Sequence, residues 1–298
     1  MGVRPDPLDH GRYWDATVNV VGGCVIADRS CSFCYAAPYA GGIHAATDIE
    51  LYRGTVEWRN RRWTWTGLLT KLPPDHPNYA FPLRWPGVKN PLLGPGKPSI
   101  LWLNSMADLF VPGRPTEDFD RLLVNTAISP HNIIGLILTK YPAQMVEYFS
   151  TKPAWWRKRF ILVFSAADQL WWNRRWQIMR PLAEAGWIVG TSIQPMLTKV
   201  VLTPDSLTLL RWVICGGEQH PGHREMKADW ARALRDQCKA AGLPFFVKQM
   251  TSGWLPPDLL FREFPSWPPD RQRAASPYRH RRAAVHQYGC DVIVEDRS

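Results

Sequence analysis

Seven short apolar runs, each ending in small or polar residues, constrain the fold of this sequence more than any other feature. They are Thr17 to Gly23 (TVNVVGG), Ser99 to Asn104 (SILWLN), Ile133 to Thr139 (IIGLILT), Phe160 to Ser165 (FILVFS), Trp187 to Ser192 (WIVGTS), Trp212 to Gly216 (WVICG) and Pro244 to Lys248 (PFFVK). Each has strand length, is rich in β-branched or aromatic residues, and is hydrophobic at nearly every position rather than at alternate ones. A strand apolar on both faces must be covered on both, which is the condition of a parallel sheet. Longer amphipathic stretches lie between the runs. Thr116 to Thr126 opens TEDFDRLL, a threonine cap with acidic residues in the first turn, and Met226 to Ala241 is stopped by Gly242 and Pro244. Strand, helix, strand alternation repeated this often predicts an α/β fold. A TIM-like (β/α) barrel, complete or partial, is the economical arrangement, and an open doubly wound sheet is the alternative.

Two regions depart from the alternation. Residues 52–98 are dense in tryptophan, proline and glycine (WRNRRWTWTG, LPPDHPNYAFPLRWPG) and read as an irregular insertion of one strand plus a long surface excursion. Residues 255–298 form a Pro/Arg-rich C-terminal extension (PSWPPDRQRAASPYRHRRAA) whose composition cannot bury enough surface to fold alone, so a basic arm or a strap is expected. The barrel domain is therefore expected over residues 1–254.

Lysine and arginine number 36 against 26 acidic residues, a net charge of +10, and 26 of the 36 are arginine. Arginine suits planar contacts with phosphate, and with 16 tryptophans it suits base stacking, so a nucleic acid or nucleotide is the expected partner. An arginine surplus set by genome composition gives the same numbers. No stretch approaches the roughly 18 to 20 apolar residues of a membrane span, so no membrane association is expected. The start, MGVRPDPLDHGRYWD, lacks the pattern of a secretory signal, and a cytoplasmic location is expected.

Three of the six cysteines, Cys24, Cys31 and Cys34, fall within eleven residues. In a cytosolic chain such clustering indicates metal rather than disulfide. The cluster directly follows the first run, and on a barrel that places it above the carboxyl end of the first strand, the face on which barrel active sites are built. Three thiolates leave one coordination position open, either on a zinc ion or on one iron of a 4Fe-4S cluster. His44 or His10 would complete a structural zinc site. Of the other cysteines, Cys215 and Cys238 read as core, and Cys290 has no assigned role. Asn104, Ser105, Asp108, Lys140, Glu218 and Lys248 also follow strand runs, so a barrel would gather them at the same mouth, although each singly reads equally well as a loop cap. His220 and His223 belong either to that rim or to a surface loop.

The cysteine segment resembles that of the radical S-adenosylmethionine enzymes, with Phe33 in the aromatic place before the last cysteine. Their usual spacing is three residues then two, and here it is six then two. More closely, the chain resembles a phage and bacterial family of radical-SAM-like proteins with a Cys-x6-Cys-x2-Cys-Tyr motif. That resemblance runs over residues 14–254 through Asn104-Ser105-Met106-Ala107-Asp108-Leu109-Phe110, Leu138-Thr139-Lys140, Gly216-Gly217-Glu218 and Phe246-Val247-Lys248-Gln249. It implies a 4Fe-4S cluster on Cys24, Cys31 and Cys34, S-adenosylmethionine as cofactor, a reducing electron donor, and a 5'-deoxyadenosyl radical that abstracts hydrogen from a nucleobase, nucleotide or nucleic acid. It further implies that Asn104, Ser105 or Asp108 holds the methionine ammonium, Lys140 its carboxylate and Phe33 the adenine. Glu218 and Lys248 would then act on the substrate as charge partners or proton-transfer groups. Ala37, Tyr141 and Gln194 depart from the family pattern within the expected pocket. The competing reading is a zinc-stabilised nucleic-acid-binding or nucleotide-modifying barrel without radical chemistry, with Asp108 as a catalytic carboxylate.

Overall fold

In the computed structural model, residues 11–47, 49–219, 222–251 and 253–267 are described. Seven strands form one parallel sheet: β1 (Ala16–Val18), β2 (Ser99–Leu103), β3 (Ile133–Thr139), β4 (Phe160–Ser165), β5 (Ile188–Ile193), β6 (Trp212–Cys215) and β7 (Phe245–Val247). Their order in the sheet is their order in the chain. The helices are α1 (Ala36–Thr47), α2 (Pro77–Arg84), α3 (Asp120–Ala127), α4 (Pro142–Ser150), α5 (Gln169–Glu184), α6 (Pro204–Leu209) and α7 (Ala228–Ala240). From α3 onward, one helix crosses between each successive pair of strands. Crossovers of a single hand between sequential neighbours put every helix on one face. The sheet therefore curls around its other face into a half-barrel, and the doubly wound alternative, which needs a reversal of strand order, does not apply.

Alternation along the strands divides the core in two. Leu101, Leu103, Ile137, Leu162, Phe164 and Val189 face the helices and pack with Phe149, Trp172 and Trp176. Ile100, Trp102, Ile134, Leu136, Ile161 and Val163 point inward, where Tyr13, Trp212 and Phe246 fill the floor of the half-barrel. Each large side chain so buried contributes about 1.5–3 kcal/mol. β1 and β7 do not pair with each other, so the sheet remains open at both edges. The edge of β7 is covered by a later segment, with Val247 N–H donating to Phe261 at 3.0 Å and Glu263 N–H to Phe245 at 3.1 Å. Phe264 and Trp267 continue that segment over the inner cluster. The rest of the Pro/Arg-rich extension, including Cys290, lies outside the described residues, as do His10, His220 and the side chain of His44.

Three expectations need correction. The first run is not one strand: Ala16–Val18 pairs with β2, whereas Val21–Gly22 pairs antiparallel with Thr70–Lys71. The cause is Asn104, whose Oδ1 accepts from Val20 and Val21 N–H at 3.0 and 3.1 Å and draws the backbone out of the ladder. The helix expected over Thr116 to Thr126 is a 3-10 turn (Thr116–Asp118) followed by α3, because Phe119 at φ −134° breaks the helical path. The insertion is more regular than its composition suggests. It holds an antiparallel hairpin (Val56–Arg59 with Arg62–Trp65), the short strand Thr70–Lys71 and α2, and it buries Tyr52, Trp65, Leu72 and Tyr79. Among the described residues, no helix is long and apolar enough to cross a membrane.

Candidate active site

The loop from Gly22 to Tyr35 has little regular structure beyond one 3-10 turn, Arg29–Phe33. Side chains from later crossovers hold its shape. Gly23 adopts φ +74°, and a Cβ there would lie 1.8 Å from the Leu68 carbonyl oxygen, so only glycine fits. Arg114 donates to the carbonyls of Gly22 and Gly23 at 2.8 and 3.0 Å and to that of Thr70 at 3.0 Å. Tyr141 O–H donates to the Val25 carbonyl at 2.8 Å. Asp28 caps the 3-10 turn, accepting from Ser30 N–H at 2.7 Å, and forms an ion pair with Arg175 of α5 at 2.7 Å. Both partners are buried, at 0% and 3% exposure. Burial pushes Asp28 upward, but the Ser30 hydrogen bonds and Arg175 outweigh it and hold the carboxyl below its usual range. Arg29 pairs with Asp168 at 2.8 Å, and Arg224 reaches back to the Arg29 carbonyl at 2.9 Å. None of Asp28, Arg114, Arg175 and Arg224 was singled out by sequence reasoning: Asp28 lies among the spacer residues of the cysteine motif, and the three arginines lie outside the motifs, where a lone charge carries no local signal.

Cys24, Cys31, Phe33, Cys34, Asn104, Ser105, Asp108, Lys140, Glu218 and Lys248 all line a single cavity of about 1220 Å³ at the carboxyl ends of the strands, whereas His223 is exposed outside it. That is larger than the space a small ligand usually fills, and it accommodates a cofactor beside a substrate. Cys24, Cys31 and Cys34 are free and half-buried there. Cys24 is pushed up to about 12, first by burial and then by Asp108 and Cys34. Burial pulls the neighbouring Lys140 ammonium down, but Cys31, Cys34, Asp28 and Cys24 outweigh it and hold the group above its usual range.

The remaining polar residues are more committed than their positions in the sequence suggest. Asp108 accepts from Thr139 Oγ1 at 2.8 and 3.0 Å, from Lys140 N–H at 2.7 Å and from Phe110 N–H at 3.0 Å, which occupies both oxygens. Burial nonetheless raises its pKa. Asn104, at φ +64°, spends Oδ1 on Val20 and Val21 and donates from Nδ2 to the Ala107 carbonyl at 2.7 Å. Asn104 and Asp108 thus already bond groups of the protein itself. Ser105 Oγ bonds Thr17 Oγ1 at 2.9 Å. Phe33 does not present a bare ring: the guanidinium groups of Arg62 and Arg224 lie 5.4 and 5.3 Å from its centroid. Glu218 is a charge partner, but of Arg224, which bonds both its oxygens, with Nε at 3.1 Å and the backbone N–H at 2.9 Å. Lys248 has no ion pair among the described residues. Its ammonium stands 5.6–5.9 Å from the rings of Tyr13, Trp14 and Tyr35, and burial lowers its pKa to about 8.

The donor set bears on both metal readings. Among the described residues, no three His, Cys, Asp or Glu side chains converge closely enough to hold one metal ion. A tetrahedral zinc site needs its sulfurs about 3.8 Å apart, each about 2.3 Å from the ion. A four-iron cluster takes one thiolate per iron, so its three thiols need not converge on one point. A cationic centre would also relieve the strong upward shift of Cys24. Three thiols lining one cavity supply the number of protein ligands such a cluster takes.

No curated protein matches the sequence. Among solved structures, the chain is similar to a mutant spore photoproduct lyase with bound AdoMet and dinucleoside spore photoproduct, at 11% identity and a TM-score of 0.44, over 80% of this chain. The chain spans 63% of that protein's length. The sequence model of the family described as "Protein of unknown function (DUF5131)" matches residues 10–281, and the chain therefore belongs to the DUF5131 family.

Proposed function

We propose that this protein is a radical S-adenosylmethionine-type iron–sulfur enzyme acting on a nucleobase, nucleotide or nucleic acid. The observation that carries the reading is the placement of three thiols from one braced loop, together with the Lys140 ammonium, on one cavity at the carboxyl mouth of a half-barrel. Cys24, Cys31 and Cys34 would hold the cluster. When bound, the cluster and S-adenosylmethionine together supply a radical able to abstract hydrogen. Lys140 would pair with the carboxylate of the methionine moiety, and Arg114, Arg175 and Tyr141 keep the cysteine loop in one shape. Asn104 and Asp108 act as positioning residues, fixing the backbone around Cys24 and Lys140.

The substrate class is supported by the charge balance inside the cavity. Its three carboxylates are already engaged: Asp15 by Leu92 and Ile100 N–H, Asp108 by the β3 end, and Glu218 by Arg224. Lys140 and Lys248 have no ion pair among the described residues, so the space favours an anionic occupant. The rings of Trp14, Tyr35 and Trp85 in the same cavity favour a flat one. Lys248 would hold a phosphate or move a proton near the substrate.

Anaerobic reconstitution tests the reading. The wild type should take up about four iron and four sulfide per chain and turn brown, and Cys34→Ala should remain folded but lose reductive cleavage of S-adenosylmethionine. One zinc per chain without colour, or cleavage persisting in Cys34→Ala, would refute the assignment.

A further inference from the structure

The hairpin of Val56–Arg59 and Arg62–Trp65 stands beside the cysteine loop, outside the cavity chemistry. Its turn residues, Asn60 and Arg61, both have positive φ, 50° and 60°. A two-residue turn of that kind is normally closed by glycine in second place. Here an arginine takes the strained position, and a non-glycine residue held there against its preference is a recurrent mark of function. Arg61 is exposed and makes no ion pair among the described residues. Arg59 has only a long contact to Glu57, 3.8 Å, at the surface. Trp58, next to Arg59 in the strand, is 62% exposed and edge-on to Trp63 at 5.6 Å.

The hairpin is anchored rather than free. Trp63 packs where a Cβ on Gly41 would come within 2.5 Å of its ring, so α1 carries glycine there and the indole seats on the helix. Arg62 donates to the Ser32 carbonyl at 2.9 Å and lies against Phe33, which ties the ribbon to the turn that carries Cys31. Trp65, at its base, lines the cavity. A rigid ribbon thus presents the exposed Trp58 on one face, the loosely paired Arg59 on the other and Arg61 at its tip, beside the rim of the site. Aromatic rings stack on any exposed base, and arginine pairs with phosphate in a planar fork. Base faces are free in a single strand and hidden in a duplex.

We propose that this hairpin binds single-stranded nucleic acid, with Trp58 stacking on a base and Arg59 and Arg61 pairing with backbone phosphates, so that the strand lies across the mouth of the cavity. This deepens the function proposed above and rests on it for the fate of the bound strand, but the binding itself needs no cluster.

The test uses the full chain, before and after reconstitution, and a labelled single-stranded oligonucleotide titrated at several salt concentrations. Arg61→Gly relieves the strained turn, so it folds at least as well as wild type. It should bind more weakly and reduce the slope of log K against log salt by about 0.7, the share of one phosphate contact. Arg59→Gln/Arg61→Gly should lose about twice that slope. Trp58→Thr should bind roughly tenfold more weakly with its slope unchanged. Photo-crosslinking with a 4-thiouridine strand should give adducts within residues 54–66. Wild-type affinity and slope in all three variants, or adducts only elsewhere, would overturn the proposal. So would variants that lose binding to phosphatidylglycerol vesicles while keeping the oligonucleotide. Failure to assemble iron and sulfide would strike the radical reading alone, since the strand is titrated against the chain before reconstitution as well.

Discussion

The floor and the mouth of the half-barrel are built from opposite materials. The floor is apolar and aromatic: Tyr13 meets Trp102, Trp212 and Phe246 at 5.6–5.7 Å, and buried area accounts for its stability. The mouth buries Asp28, Asp108 and Glu218 and sets them against arginines and backbone donors. Replacing such buried pairs by packed apolar groups is often neutral or stabilising, so the mouth is not arranged for stability. What the charges provide is a single conformation for a loop with almost no regular structure. The floor holds the protein together, and the mouth holds three sulfurs and an ammonium in register.

The contrast can be broken at either end. Trp212→Ala removes a fully buried indole, and the hydrogen bond from its Nε1 to the Glu263 carbonyl, from the floor. It should cost about 3–5 kcal/mol in urea unfolding, and any variant that still folds should keep the cysteine loop intact and bind iron. Arg175→Met strands the Asp28 carboxylate at the mouth and should cost about 3 kcal/mol. Unlike the floor variant, it should lose iron even in the folded fraction, as measured by metal content after reconstitution. Retention of full iron content would show that the brace is dispensable.

The smallest effect is expected at Lys248. Its folded pKa, about 8, lies below the ordinary 10.5 because burial disfavours the charged form. Wild type therefore carries the penalty of a charged lysine below pH 8, and that penalty fades as pH rises from about 8 toward 10.5, where the unfolded chain still binds the proton and the folded chain does not. Lys248→Met should accordingly be more stable than wild type near neutral pH, with the difference shrinking across that window in thermal melts. Binding of an anionic ligand to wild type should weaken over the same interval and show no such step in Lys248→Met.

Much of the fold is legible in the sequence because parallel strands buried on both faces leave long apolar runs. Ile133–Thr139 and Phe160–Ser165 match their strands residue for residue. The cavity's residues are legible for the same reason: once the strands are placed, the polar residues that end them must share one mouth. Their commitments are not legible. That Asp108 serves Thr139, Lys140 and Phe110, and Glu218 serves Arg224, depends on distances between loops with no local trace in the chain. The insertion misleads because its tryptophans and prolines signal irregularity, whereas Trp65 and Tyr79 are buried and the Asn60-Arg61 turn closes a regular hairpin.

The bond from Arg224 to the Arg29 carbonyl spans 195 residues of sequence. A ribosome adding about 5–20 residues per second needs on the order of 10–40 s to traverse such a distance. Throughout that interval the thiols of a nascent chain are already outside the tunnel while their final clamp is still unmade. The loop therefore reaches its finished form only once Arg224 has emerged, late in the making of the chain.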